Sequence, residues 1–249
     1  MNYFDKLNFK LETKYIANID KESFQLQMDK SDGSESLALK DDLLKKELGL
    51  NRLVINQQCI YLSVSGKIVA TERHLGLISL KNIYEVFKNI EKTGYISFTE
   101  GVDLLDEAVL LACDATFDSF VDSTAQAIEQ IKLLSKEKSD KIRMTKYRTG
   151  LVFRPYVKSD KTSFCCYDKY REICHSARFK GCEYMDRIET EYLEGLKNKC
   201  LRLELRLNTF KSIRQAFCIE QKGEIKLKEI LKSKINVVDR YLKMLTGVN

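Results

Sequence analysis

The chain has 249 residues, 44% of them hydrophobic and 31% charged, with 42 Lys and Arg against 36 Asp and Glu for a formal net charge of +6. That is the balance of a soluble, folded protein of one large or two small domains. No run approaches the roughly 18 apolar residues of a membrane helix, and the first residues carry no signal-peptide pattern, so a cytoplasmic protein with no membrane partner is expected.

Eight cysteines do not make a disulfide scaffold in a chain of this length, and buried free thiols are the expectation. Cys165, Cys166, Cys174, His175 and Cys182 cluster, but their spacing fits no usual zinc pattern.

In chain order, Leu7, Phe9 and Leu11 alternate with polar residues and predict a strand. Residues 53–55, 60–64 and 67–70 read as further strands, the last two joined as a hairpin at Ser65-Gly66. Asp32-Gly33-Ser34 and Thr93-Gly94 are turn signals. Ile83, Val86, Phe87 and Ile90 form a helical stripe within residues 80–91. Residues 109–117 are strand-like. A helix is predicted over 123–136, opened by Ser123 and Gln126 as a capping box. Residues 151–153 and 162–169 read as a hairpin around 158–161. A helix over 186–198 feeds a strand over 201–207, and from Glu224 onward the pattern is helical. This mixture predicts an α+β fold, a largely antiparallel central sheet flanked by helices. Residues 1–217 form the main domain, and 218–249 a helical segment packed on it or extending it.

Three strand-like segments carry the chemistry. On 201–207 the leucines share one face, while Arg202, Glu204 and Arg206 share the other. A cross-strand salt bridge on a solvated face accounts for these charges as well as a functional site does. Asp114 follows an apolar run and is costly there unless paired or bound to a cation. An oxygen-ligand site for Mg²⁺ or Mn²⁺ needs one or two such carboxylates. On 162–169, Cys165, Tyr167 and Lys169 are expected to project to one face, which sets a lysine beside a phenol.

Between Lys138 and Arg171 lie ten basic residues, Arg148, Arg154, Lys158 and Lys161 among them, interleaved with Tyr147, Phe153, Tyr156 and Phe164. Bases supply phosphate contacts and aromatics supply stacking for unpaired nucleobases. A solvated hairpin surface with core aromatics fits the same composition.

The order of the three segments resembles the gene-two type replication initiators of filamentous phages, and more distantly the rolling-circle initiators of small plasmids. The resemblance rests on Asp114-Ala115-Thr116 before a helix, then Tyr167, Lys169 and Glu172, then Arg202, Glu204 and Arg206. The arginine that commonly stands two residues before the aspartate is Ala112 here. The resemblance implies a metal-dependent nickase in which Tyr167 cuts and rejoins one DNA strand through a 5′-phosphotyrosine. It implies Lys169 as its catalytic partner, and Asp114 and Glu204 holding Mg²⁺ or Mn²⁺. The DNA-binding residues are then Arg154, Lys158, Lys161, Arg171, Arg202 and Arg206. The partner is the single-stranded or melted origin of a plasmid or phage, with a host helicase and polymerase. Among the competing tyrosines, Tyr156 is the runner-up to Tyr167, ahead of Tyr147 and Tyr170. The other readings are a mobilisation or transposition nickase and a non-catalytic DNA-binding initiator. His74 and His175 are far apart, so the His-x-His metal pair of better-known nickases is not formed.

Overall fold

A computed structural model describes residues 2–28, 34–40, 49–69, 76–136, 142–156, 161–180 and 190–248, with 176–180 as backbone alone. The described strands are β1 (Tyr3–Glu12), β2 (Ile16–Ile19), β3 (Phe24–Met28), β4 (Glu35–Leu39), β5 (Leu50–Ile55), β6 (Cys59–Ser65), β7 (Ile96–Phe98), β8 (Val109–Phe120), β9 (Ile142–Lys146), β10 (Gly150–Pro155), β11 (Ser163–Asp168) and β12 (Cys200–Leu207). The described helices are α1 (Ile83–Lys92), α2 (Leu104–Glu107), α3 (Thr124–Lys136), α4 (Lys169–Lys180), α5 (Thr190–Leu196), α6 (Phe210–Phe217), α7 (Leu227–Lys232) and α8 (Val237–Thr246).

Ten of these strands hydrogen-bond into one open sheet in the order β3-β4-β5-β6-β1-β8-β12-β11-β10-β9, and each neighbouring pair is antiparallel. The fold is α+β. The alternation of β12 explains its place at the centre. Leu201, Leu203, Leu205 and Leu207 join one apolar cluster with Ile131 of α3, Ile213 and Phe217 of α6, and Val238 and Leu245 of α8. Phe164 on β11 stacks on Tyr241 of α8 with ring centroids 5.4 Å apart. Helices therefore cover this side of β8, β12 and β11, and the opposite side of these strands carries the charged residues. The C-terminal residues bond to the sheet: Ile225 O accepts from Leu110 N, and Asn2 Nδ2 donates to Ser233 O at 3.2 Å. No helix among the described residues is long and apolar enough to cross a membrane. The seven described cysteines are free thiols, five of them buried, and Cys182 lies outside the described residues.

Several elements differ from the sequence reading for local reasons. Residues 67–70 are no strand: Gly66–Ile68 form a 3₁₀ turn, and Ala70 lies outside the described residues. Ile68 is buried there, which satisfies its apolar side chain without a ladder. The hairpin closes earlier, between β5 and β6, where the Asn56 side chain accepts from Gln58 N at 2.9 Å and Cys59 N at 2.7 Å. That Asx turn replaces the glycine turn the sequence suggested. Lys169 does not continue β11. Asp168 Oδ1 accepts from Arg171 N at 2.9 Å, an N-cap that opens α4 at Lys169. The helical stretch after Glu224 is two helices, with Asn236 capping α8 through Asp239 N. Residues 32, 33, 157–160 and 186–189 of the expected turns and helix lie outside the described residues.

One side chain ties the charged face together. Arg202 has no exposed surface, yet it carries a guanidinium in the middle of the sheet. Its Nε and Nη2 donate to the two carboxylate oxygens of Asp118 on β8, both at 2.7 Å. Its Nη1 donates to Asp5 on β1, also at 2.7 Å. Asp5 reaches it because the register of β1 against β8 shifts between Phe4 and Lys6. Burial opposes the charge, but the Asp118 hydrogen bonds and nearby carboxylates outweigh it and hold the Arg202 pKa well above its ordinary value. Removing one partner of a buried pair strands the other charge. Arg202→Ala is thus expected to lose about 3–5 kcal/mol of stability in urea unfolding, a loss that Arg202→Lys recovers only in part because an ammonium cannot form the bidentate pair.

Candidate active site

The charged face of β8, β12 and β11 gathers the residues in register. Tyr167 lies opposite Arg202, which lies opposite Asp118. One step along, Cys165 lies opposite Glu204, opposite Thr116. One further, Ser163 lies opposite Arg206, and Arg206 opposite Asp114. Lys6 of β1 extends that last row from the far side of Asp114. Asp114 and Glu204 therefore occupy diagonal positions on the same face of adjacent strands.

Glu204 is the hub. It is only 2% exposed. Its Oε2 accepts from the Tyr167 hydroxyl at 2.8 Å, and its Oε1 accepts from Arg206 Nε at 2.5 Å. Tyr167 therefore has a carboxylate on its phenolic proton. Burial, then the charge of Glu204, pushes the Tyr167 pKa well above the ordinary value. The resting phenol is neutral, and the group placed to take its proton is already bonded to it.

A glycine lets β10 approach this tyrosine closely. Gly150 of β10 lies opposite Tyr167, and a Cβ at Gly150 would stand 2.6 Å from the Tyr167 Cβ. Any larger residue there would drive β10 away from β11. Cys165 borders the same face, and burial raises its thiol to about 11, so it stays protonated at neutral pH.

Asp114 carries the compensating problem. Burial first, and then the charge of Glu204, lifts its carboxyl from 3.8 to about 7. It lines a cavity of about 240 Å³ together with Lys6, Asn8, Arg206 and Asn208. Asn8 Oδ1 is buried and has no hydrogen-bond partner among the described residues. The cavity thus offers the Asp114 carboxylate and, among the described residues, an amide oxygen without a donor, and both are hard oxygens of the kind Mg²⁺ and Mn²⁺ take. Arg206 and Lys6 supply positive charge at its rim.

The other sequence-derived residues stand elsewhere. Lys169, at the first turn of α4, bonds Glu172 Oε2 at 2.8 Å and is nearly buried, so it does not share a strand face with Tyr167. Arg202 lies beneath the surface, fully engaged by Asp5 and Asp118. Arg154 is exposed on β10 opposite Arg143, and Lys161 is exposed just before β11. Arg171 is exposed on α4 with its Nε 3.9 Å from Asp168. Lys158 and His74 lie outside the described residues. Among the described residues no group of three or more His, Cys, Asp and Glu side chains is arranged to hold a metal. The sequence reading missed Asp5, Lys6 and Asn8. Their strand was legible, but its adjacency to β8 was not, because more than a hundred residues separate the two. The register shift that aims Asp5 has no sequence signature.

The raised Asp114 pKa sets a pH dependence. A carboxyl with a folded pKa near 7 and an unfolded pKa of about 3.9 binds its proton more tightly when folded. Its contribution is present below about pH 4 and is lost as the pH rises through 7. Asp114→Asn is expected to melt above the wild type at pH 8, by about 2–4 °C for each kcal/mol relieved, with the difference closing near pH 4. Scanning calorimetry across that range in chelator checks this, and an equal shift at both ends would contradict it.

The family model described as replication-associated protein, N-terminal, of the filamentous-phage gene II type matches residues 76–230, more than half of the chain. The match takes in Asp114, Tyr167 and Glu204 and leaves out β1 to β6. No curated protein matches the chain.

Proposed function

The chain belongs to the filamentous-phage gene II type family of replication-associated initiators, and from that premise we propose that it cuts one DNA strand at a replication origin with Tyr167 as nucleophile. The observation that carries the reading is the hydrogen bond from the Tyr167 hydroxyl to buried Glu204 on the charged face of the sheet.

In this reading single-stranded or melted DNA lies across β8, β12 and β11. Arg206 and Lys6 meet its phosphates, and Arg154, Lys161 and Arg171 hold the flanking backbone. The Tyr167 oxygen attacks phosphorus as its proton passes to Glu204 Oε2. The bond from phosphorus to the 3′ oxygen breaks, the 5′ phosphate stays on the tyrosine, and the 3′ oxygen takes a proton from solvent. Arg206, bonded to the other oxygen of Glu204, stabilises that carboxylate and orients it. Asp114 and Asn8 Oδ1 would hold Mg²⁺ or Mn²⁺, with Glu204 kept as the base rather than as the second metal ligand, and the ion would polarise the scissile phosphate. Lys169 acts from α4 through its pair with Glu172, and Arg202 acts by tying β12 to Asp118 of β8 and Asp5 of β1.

Nicking of supercoiled DNA from the protein's own replicon in Mn²⁺ tests the reading. Wild-type protein relaxes it. Tyr167→Phe is expected to lose cleavage while retaining the DNA on a filter, because only a hydroxyl is removed. Glu204→Gln is expected to slow cleavage by about 10²–10⁴-fold, the range of a lost general base. Undiminished nicking by Tyr167→Phe would reject the assignment, and retention of DNA by a wild type that never nicks would make this a non-catalytic initiator.

A further inference from the structure

A second cavity, separate from the Asp114 cleft, lies between the β9–β10 turn and α4. It measures about 220 Å³ and is lined by Arg148, Thr149, Tyr170, Arg171, Cys174 and His175. Its position is fixed relative to the proposed nucleophile. Thr149 O accepts from Asp168 N at 2.9 Å, and the next residue, Gly150, pairs with Tyr167. The same Asp168 caps α4 and so sets Tyr170 and Arg171 on the opposite wall. The turn and the helix are thus both anchored to the two residues at the end of β11.

The lining has a particular chemistry. Arg148 comes from the turn and Arg171 from the helix, so two guanidiniums reach the cavity from opposite walls. Among the described residues, the nearest carboxylate to Arg171 is that of Asp168, 3.9 Å away, which leaves most of its donors for another acceptor. Tyr170 adds an aromatic ring with Lys197 Nζ 5.9 Å from its centroid. Fork-shaped cations select phosphate oxygens, and an aromatic ring gives a nucleobase a stacking surface without reading its identity. The volume is below the roughly 300–1,000 Å³ of a drug-sized pocket, so it suits one residue of a polymer rather than a free cofactor.

We propose that this cavity seats one nucleotide of single-stranded DNA beside the scissile position, its phosphate between Arg148 and Arg171 and its base against Tyr170. The inference rests on the reading of Tyr167 as the nicking residue, but its test does not depend on cleavage. Such a seat would fix the path of the strand, so that the phosphate one step along stands over the Tyr167 hydroxyl.

The experiment is fluorescence anisotropy with a short labelled oligodeoxythymidylate, using the full chain without divalent metal. Arg148→Ala with Arg171→Ala is expected to weaken binding about tenfold and to lower the salt slope by about 1–2. Tyr170→Leu is expected to weaken it about tenfold at an unchanged salt slope, since stacking releases no counterions. Circular dichroism melts confirm that each variant folds, and Arg148→Glu, at an exposed turn, serves if the double variant does not. An iodouridine in the oligonucleotide is expected to photocrosslink to the peptide containing Tyr170 and His175. Wild-type affinity and salt slope in both variants, with the wild type binding DNA, would overturn the cavity assignment alone. A wild type that binds no single-stranded DNA would overturn the proposed function with it. Full displacement of the oligonucleotide by free thymidine monophosphate at equal concentration would make the cavity a mononucleotide site and overturn the placement on the strand.

Discussion

A guanidinium without exposed surface holds this sheet in its functional register. Arg202 alone joins β12 to Asp118 of β8 and to Asp5 of β1, spanning three strands with hydrogen bonds of 2.7 Å. A charge so placed is tolerable only when its donors are matched by acceptors of fixed geometry. The matching fixes which residues of β8 and β12 face each other, and the rest of the charged face follows from that register. Tyr167 is set opposite Arg202, Glu204 one step beyond, and Asp114 diagonal to Glu204. A slip of one residue would turn all of them into the apolar layer under α3, α6 and α8.

The sheet separates stability from chemistry by its two faces. The leucines of β12 and the aromatic stack of Phe164 on Tyr241 bury the helical side. The other side holds groups that are costly alone: a phenol shifted upward, a carboxyl near neutrality and an amide oxygen with no donor among the described residues. Strained titration of this kind clusters where a ligand supplies the missing partner. Glu204 mediates between the two demands. It is buried like a core residue, yet it spends both oxygens on groups of the charged face.

Much of this was legible in the chain because period-two alternation states directly which residues share a face. The leucines and charges of 201–207 and the position of Asp114 follow from that pattern, and the helix after Asp114 from its capping residues. β8 and β12 pair antiparallel, though some eighty residues separate the partners in sequence. What stayed hidden depended on distant chain or on competition between local signals. Lys169 reads as a strand residue by alternation, but the cap formed by Asp168 wins and starts a helix. Arg202 reads as a DNA contact because an arginine on a polar face is usually exposed; only the register shift in β1 brings the second carboxylate that buries it. Asn8 and Lys6 could be placed on a strand but not beside Asp114.

The central claim is that the phenol bonded to Glu204 is the one that takes the DNA. The measurement that tests it most directly is mass spectrometry of the peptide left covalently attached to DNA after wild-type protein meets its origin with Mn²⁺. The account predicts a nucleotide adduct on Tyr167, carried by a 5′ phosphate. An adduct on exposed Tyr156 or on Tyr170, or one borne by a 3′ phosphate, would contradict it.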